Sequence, residues 1–370
     1  MMTTLEQQLQ GCIRSIDQVK DLLHLTNEEA DILRDVSERY PICITPYYLS
    51  LVDPDDPDDP IRKMCLPTAL EYQPGGVEDT SGESSNTVLK GLQHKYRQTV
   101  IILSTNQCAM YCRHCFRKRM VGYSAGEIAN ELPDIVNYVS SHPEISNVLI
   151  SGGDAFMNTN ATIQKYLEAF ISVPNVEYIR FGTRIPVVLP RRISEDAELL
   201  DILRRYCTRK QIIIVTQFNH PREITPDACN AIRLMMSCGC IIRNQTVLLR
   251  GINDTPETLA KLQNTLIKVG VVPYYIFQCR PAAGVMNQFQ VPLLQGYRIV
   301  DAARAFMSGQ SKSARYCMSH VTGKIEIIGE TADHTMLFKY HQNKYSKDAA
   351  RIFTAHVDDD QCWLPEEIPE

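Results

Sequence analysis

The chain has 370 residues, 44% hydrophobic and 22% charged, with 38 basic against 43 acidic side chains and a net charge of −5. That length supports one large domain with appendages or two domains, and the mildly acidic balance gives no whole-molecule attraction to nucleic acid or to an anionic membrane. No apolar run reaches the roughly 18–20 residues of a membrane helix, and Met1–Gln7 lacks the basic start and apolar stretch of a secretory signal, so a cytoplasmic location is expected.

Residues 1–40 predict helices. Thr26-Asn27-Glu28-Glu29 has the form of a capping box, Ala30, Ile32, Leu33 and Val36 follow at helical spacing, and Pro41 stops the run. The Asp/Pro run at 53–60 fits neither helix interior nor central strand and predicts an exposed extended link. Gln73–Thr87, rich in Gly, Ser and Glu, predicts a loop leading into the main domain.

From residue 97 short apolar, β-branched runs recur: Thr99–Thr105, Asn147–Ser151, Glu177–Thr183, Gln211–Phe218, Ile241–Leu249 and Val271–Gln278. Their starts lie roughly 30–50 residues apart, the size of a βα unit. Nearly continuous apolarity suits parallel strands covered on both faces. Ser124-Ala125-Gly126-Glu127 predicts a capped helix start. Thr225-Pro226 and Thr255-Pro256 open two further helices, which Gly239 and Gly270 end. The expected fold class is α/β: a partial (β/α)6 TIM-like barrel over 96–307, a helical N-terminal region with its Asp/Pro link over 1–95, and a C-terminal extension over 308–370 that covers or dimerises the barrel. A doubly wound open sheet is the alternative.

Thirteen cysteines are many for such a chain. Without a secretion signal a disulfide framework is not expected, and most of them, Cys238 and Cys240 included, read as small buried hydrophobes. Cys108-Ala-Met-Tyr-Cys112-Arg-His-Cys115 is different. It follows the first strand, and three thiolates at C-x3-C-x2-C can hold three irons of a [4Fe-4S] cluster, leaving the fourth iron open to a ligand. Zinc is the competing reading, but a structural zinc takes four protein ligands, and His114 sits awkwardly beside a ligand for the same ion.

This spacing is the signature of the radical S-adenosylmethionine (SAM) superfamily, and its surroundings resemble the lysine 2,3-aminomutase family. The resemblance rests on Cys108–Arg119, Ser151-Gly152-Gly153-Asp154, Gly182–Val188, Phe218-Asn219-His220-Pro221, Asn244–Asp254 and Pro273-Tyr274-Tyr275. It implies a reduced cluster that passes an electron to the bound sulfonium, and a 5′-deoxyadenosyl radical that takes a hydrogen from an amino-acid-like substrate. Ser151, Gly152, Gly153 and Asp154 would receive the methionine end. His114, Gln217, Asn219, His220, Asn244 and Gln245 would lie near the cofactor, and Arg117 would clamp a substrate carboxylate, as a guanidinium does well. Arg184 resembles a pyridoxal phosphate contact.

Two departures stand out. The family's glycine-rich segment before the pyridoxal phosphate lysine is missing, and Lys324 in Thr322-Gly323-Lys324 is the one substitute, with a plain turn residue as the simpler reading. The phosphate site is therefore kept, converted or vestigial. Where lysine-specific members carry an Asp after the Tyr-Tyr strand, this chain has Arg280, which repels a distal ammonium and attracts an anion. Free lysine is thus not the expected substrate. The expected partners are a small-molecule substrate, an external electron donor such as flavodoxin or ferredoxin, and a second copy in a homo-oligomer. A pyridoxal-phosphate-independent radical enzyme and a non-catalytic electron-transfer protein are the alternatives.

Overall fold

The computed structural model describes residues 4–332 and 334–368. They form one sheet in strict chain order: β1 (Thr87–Leu89), β2 (Leu92–Tyr96), β3 (Thr99–Thr105), β4 (Asn147–Gly152), β5 (Tyr178–Gly182), β6 (Gln211–Thr216), β7 (Ile241–Leu248), β8 (Val272–Gln278), β9 (Arg315–His320), β10 (Gly323–Ala332), β11 (Thr335–Asn343) and β12 (Ile352–His356). β3 to β9 run parallel. β1–β2 and β10–β12 extend the two edges antiparallel. All six predicted strands are present. β9, from the segment assigned to the C-terminal extension, is a seventh parallel strand.

Helices Leu132–Ser141, Asn160–Ile171, Ala197–Cys207, Pro226–Ser237, Pro256–Lys268 and Leu293–Ala305 connect successive parallel strands. Their apolar faces meet one side of the sheet: Ile150, Ile179, Phe181, Ile212 and Ile214 pack with Ile163, Leu167, Phe170, Leu203 and Ile232. Burial of each such side chain contributes roughly 1.5–3 kcal/mol. Thr225 and Thr255 accept hydrogen bonds from the amides of Ala228 and Thr258, as their sequence positions predict. Gly239 and Gly270, at φ +95° and +84°, take the left-handed turn that ends those helices. The start predicted at Ser124 does not form. Ala129 is tied by its amide to the carbonyl of Leu103, Glu127 pairs with Arg119 at 2.9 Å, and the helix begins only at Leu132.

The sheet is rolled. Laid flat, β2 and β9 would lie seven strand spacings apart, roughly 34 Å. Instead Lys95 Nζ on β2 donates to the carbonyl of His320 on β9 at 2.5 Å. The inner face of this roll carries the alternate residues of each strand: Arg180 stands between the fully buried Ile179 and Phe181, which point to the helices.

The N-terminal region folds over the carboxyl ends of the strands. Thr26 caps the Asn27–Arg39 helix, with Glu29 returning a bond to its amide. The Asp/Pro run forms turns rather than an extended link, because Asp59, buried, caps the Pro60–Cys65 helix and pairs with Arg222. Val77 bridges to Ala282, and the predicted loop 73–87 contains a short helix at Glu83–Asn86. No described helix is long and apolar enough to cross a membrane.

Candidate active site

Cys108, Cys112 and Cys115 lie on the loop after β3, at the carboxyl ends of the parallel strands. The N-terminal region anchors this loop: the amides of Tyr111 and Arg113 donate to the carbonyls of Cys43 and Met64. The Arg113 guanidinium makes a two-pronged bond to Glu71 at 2.9 and 2.5 Å, with both side chains buried. Among the described residues no three His, Cys, Asp or Glu side chains converge tightly enough to chelate a single ion. Burial, then Asp154 and the neighbouring thiols, push the Cys108 thiol well above its ordinary pKa; burial and Cys112 push Cys115 up to about 11. A metal ligand must be the thiolate, so loading a cluster here would release those protons.

Ser151-Gly152-Gly153-Asp154 closes β4 directly onto this loop. The amides of Gly153 and Asp154 donate to the carbonyls of Thr105 and Gln107 at 2.6 and 2.8 Å. A Cβ at Gly153 would sit 2.3 Å from the Gln107 carbonyl oxygen, so the glycine is needed for contact with the cluster loop itself. Asp154 is buried and already accepts from the amides of Phe156 and Arg184 at 3.0 and 2.6 Å. It fixes the loop, while Arg117 donates to Ser151 Oγ at 3.5 Å and to the Gly152 carbonyl at 3.3 Å.

Arg184 crosses beneath the cluster loop, donating to Cys112 Sγ at 2.6 Å, to the Gln217 carbonyl at 3.0 Å and to Glu223 at 2.6 Å. Its contacts therefore belong to the cluster side. His114 is buried and meets Asn219 at 3.2 Å, while its Nδ1 has no partner. Burial, reinforced by Arg184, pushes the imidazole down to about 3, so it is neutral at working pH. Asn219 also accepts from the amide of Val247. His220 caps the turn at Pro221–Glu223. Asn244 uses both ends of its amide on Phe218, holding the end of β6. Gln245 lies on the inner face, paired with Tyr275 across the β7–β8 ladder.

Arg117 and Arg280 come together at Phe116, with guanidinium carbons 4.9 and 3.9 Å from its ring centre. Among the described residues the Arg280 guanidinium bonds Thr80, at 3.4 Å, and forms no ion pair. Arg117 is held by Glu83 at 2.8 and 2.6 Å, and Arg119 takes the other carboxylate oxygen at 2.7 Å. Glu83 had no signal in the sequence beyond being an acid in a polar stretch.

Lys324 is not a surface turn residue. It opens β10 on the inner face, its Nζ 4.3 Å from the Tyr275 ring centre, 5.6 Å from Phe277 and 5.7 Å from Tyr96, and 3.0 Å from Gln342 Oε1. Burial, with Arg180 and Arg280 also opposing its charge, pushes the amine down to about 7.

No family model matches the chain. It is 38% identical to the L-lysine 2,3-aminomutase of Clostridium subterminale, over 82% of this chain and 72% of that protein. To the L-lysine 2,3-aminomutase of Acetoanaerobium sticklandii it is 36% identical over 96% of this chain and 86% of that one. To the glutamate 2,3-aminomutase of Clostridioides difficile it is 34% identical over 82% and 70%. A solved radical SAM methyltransferase from Sphaerobacter thermophilus superposes on 61% of this chain and 68% of its own, at 15% identity and a TM-score of 0.40. A three-cysteine loop seated at the carboxyl ends of a parallel sheet, together with the aminomutase relatives, defines an enzyme of the radical SAM class. Within that class the chain belongs to the lysine 2,3-aminomutase family.

Proposed function

We propose that the rolled sheet is a partial (β/α)6 barrel in which an amino-acid-like substrate other than free lysine is isomerised in aminomutase fashion, with pyridoxal phosphate carried on Lys324. The observation that carries this reading is the Lys324 amine, caged by the rings of Tyr96, Tyr275 and Phe277 on the inner face. A lysine amine depressed to about 7 is a nucleophile near neutral pH, as a carbonyl-binding lysine must be.

The cluster and SAM together supply a carbon-centred radical, and pyridoxal phosphate a conjugated system that spreads unpaired spin. Both groups fit the residues present: three thiols and an unpartnered His114 Nδ1 on one side, a desolvated amine on the other. The chain's own residues do the rest. Cys108, Cys112 and Cys115 hold the iron, Ser151, Gly152 and Gly153 offer oxygen and backbone to the methionine end, and His114, Gln217, Asn219 and Gln245 line the nucleoside side. Asp154, Asn244, His220 and Arg184 position that wall. Arg117 would release Glu83 to take a substrate carboxylate, and Arg280 would exclude a distal ammonium. Residues 1–95 cover the mouth, 96–307 hold the reacting groups, and 308–370 bring Lys324. A cytoplasmic setting, an external one-electron donor such as flavodoxin or ferredoxin, and a homo-oligomer complete the proposal.

The test uses protein reconstituted anaerobically with iron and sulfide, given SAM and dithionite, with pyridoxal phosphate added or withheld. The expected result is 5′-deoxyadenosine release, and a lysine-bound pyridoxal absorbance that Lys324→Ala abolishes. Deoxyadenosine release from wild type that never acquires that absorbance would make this a pyridoxal-phosphate-independent radical enzyme. Arg280→Asp is expected to weaken an acidic substrate, and unchanged kinetics would place Arg280 outside the pocket.

A further inference from the structure

The inner face of the roll carries charge that the proposed chemistry does not use. Arg180 and Arg243 are each the third residue of their strands, β5 and β7. The register through β6 pairs Arg180 with Ile213 and Ile213 with Ile241, and alternation then puts Arg243 on the same face. The two strands lie about 10 Å apart, which two extended guanidinium side chains span.

Neither arginine's side chain makes a hydrogen bond or ion pair among the described residues, and the Nε of each is buried without a partner. Arg243 lies 5.1 Å over the ring of Tyr274, and Tyr275 donates to the Tyr274 hydroxyl at 3.4 Å. Lys324, stacked on Tyr275, lies on the same wall. The acids close to this face are engaged elsewhere: Glu326 with Arg315 at 2.6 Å, Glu83 with Arg117 and Arg119. A guanidinium nitrogen buried without a partner is costly, and here two half-buried arginines on one face of the sheet each carry one. A planar guanidinium is the side chain that receives a carboxylate or phosphate by paired N–H donors.

We infer that Arg180 and Arg243 form an oxyanion-binding subsite, deeper in the barrel than Arg117 and Arg280, that takes a phosphate or carboxylate group. Two sources carry that chemistry into this barrel: the phosphate of pyridoxal phosphate, and a second acidic group on the substrate. The site stands on the arginines themselves and holds whichever reaction the enzyme performs.

The experiment titrates anaerobically reconstituted protein with inorganic phosphate and with glutarate, by calorimetry, in wild type, Arg180→Met and Arg243→Met. Methionine keeps the apolar stem and removes the charge. Binding of at least one probe to wild type, weakened by about tenfold or more in both variants, supports the site, since a charge-assisted bond contributes roughly 1.5–3 kcal/mol. Binding of pyridoxal phosphate against pyridoxal then separates the sources. A preference for the phosphorylated form that disappears in the variants assigns the site to the cofactor. An unchanged preference, with glutarate binding lost, assigns it to the substrate. No probe binding to wild type, or equal binding to wild type and Arg243→Met, overturns the inference. Arg243, partly exposed and free of side-chain hydrogen bonds among the described residues, is the variant that keeps the test available should Arg180→Met fail to fold.

Discussion

Glu83→Gln tests the electrostatics of the mouth directly. The Glu83 carboxylate is buried and shared between Arg117 and Arg119. Burial opposes its ionisation, but the two guanidiniums outweigh that and hold its pKa at about 2, against an ordinary 4.5. At 1.36 kcal/mol per pH unit, that depression is worth about 3 kcal/mol of folding stability at pH 7. The sign follows from the depression: the stabilisation is complete above the unfolded-state value and is lost as pH falls through the folded one. It should be complete above pH 5.5, about half as large at pH 3 and nearly absent at pH 2. A glutamine keeps the shape and removes the charge. Urea unfolding of the reduced, metal-free chain, followed by circular dichroism, should therefore show a wild-type advantage at pH 7 that narrows by about half at pH 3. An advantage below about 1 kcal/mol at pH 7, or one that does not narrow, would refute the reasoning and make the Glu83–Arg117 contact incidental.

Three further outcomes are expected. Replacing any one of Cys108, Cys112 or Cys115 by Ala should abolish the cluster, read as iron content and visible absorption; full cluster in all three variants would contradict the ligand assignment. Gly153→Ala sets a Cβ 2.3 Å from the Gln107 carbonyl oxygen, which backbone cannot relieve cheaply. It should lower stability by about 1–3 kcal/mol and reduce cluster retention during dialysis. Capture of pyridoxal phosphate by Lys324 should rise with pH around a midpoint near 7, because the free amine appears there and not near 10.5; a midpoint above about 9 would mean the amine is solvated.

Much of the scaffold was legible because its causes are local. Parallel strands covered on one side by helices read as apolar runs at βα spacing, and Thr-Pro and Gly mark helix ends through chemistry confined to a few residues. Ser124–Glu127 shows the limit. The capping pattern is present, but a tertiary hydrogen bond from Ala129 to Leu103 fixes the backbone elsewhere, and local propensity yields. The cysteine loop was legible for the same reason as the strands: its spacing is a property of contiguous chain.

The sequence by itself therefore determined the βα succession, the three-thiol loop and its place after the first parallel strand. Only the tertiary structure decided what surrounds them. Glu83 reaches Arg117 across 34 residues of chain, and Lys324 leaves the surface for the interior, because the roll of the sheet brings β2 against β9 and β10. Arg180 and Arg243 share the inner face through a register that a slip of one residue would reverse, and no periodicity along a single strand encodes a register between strands.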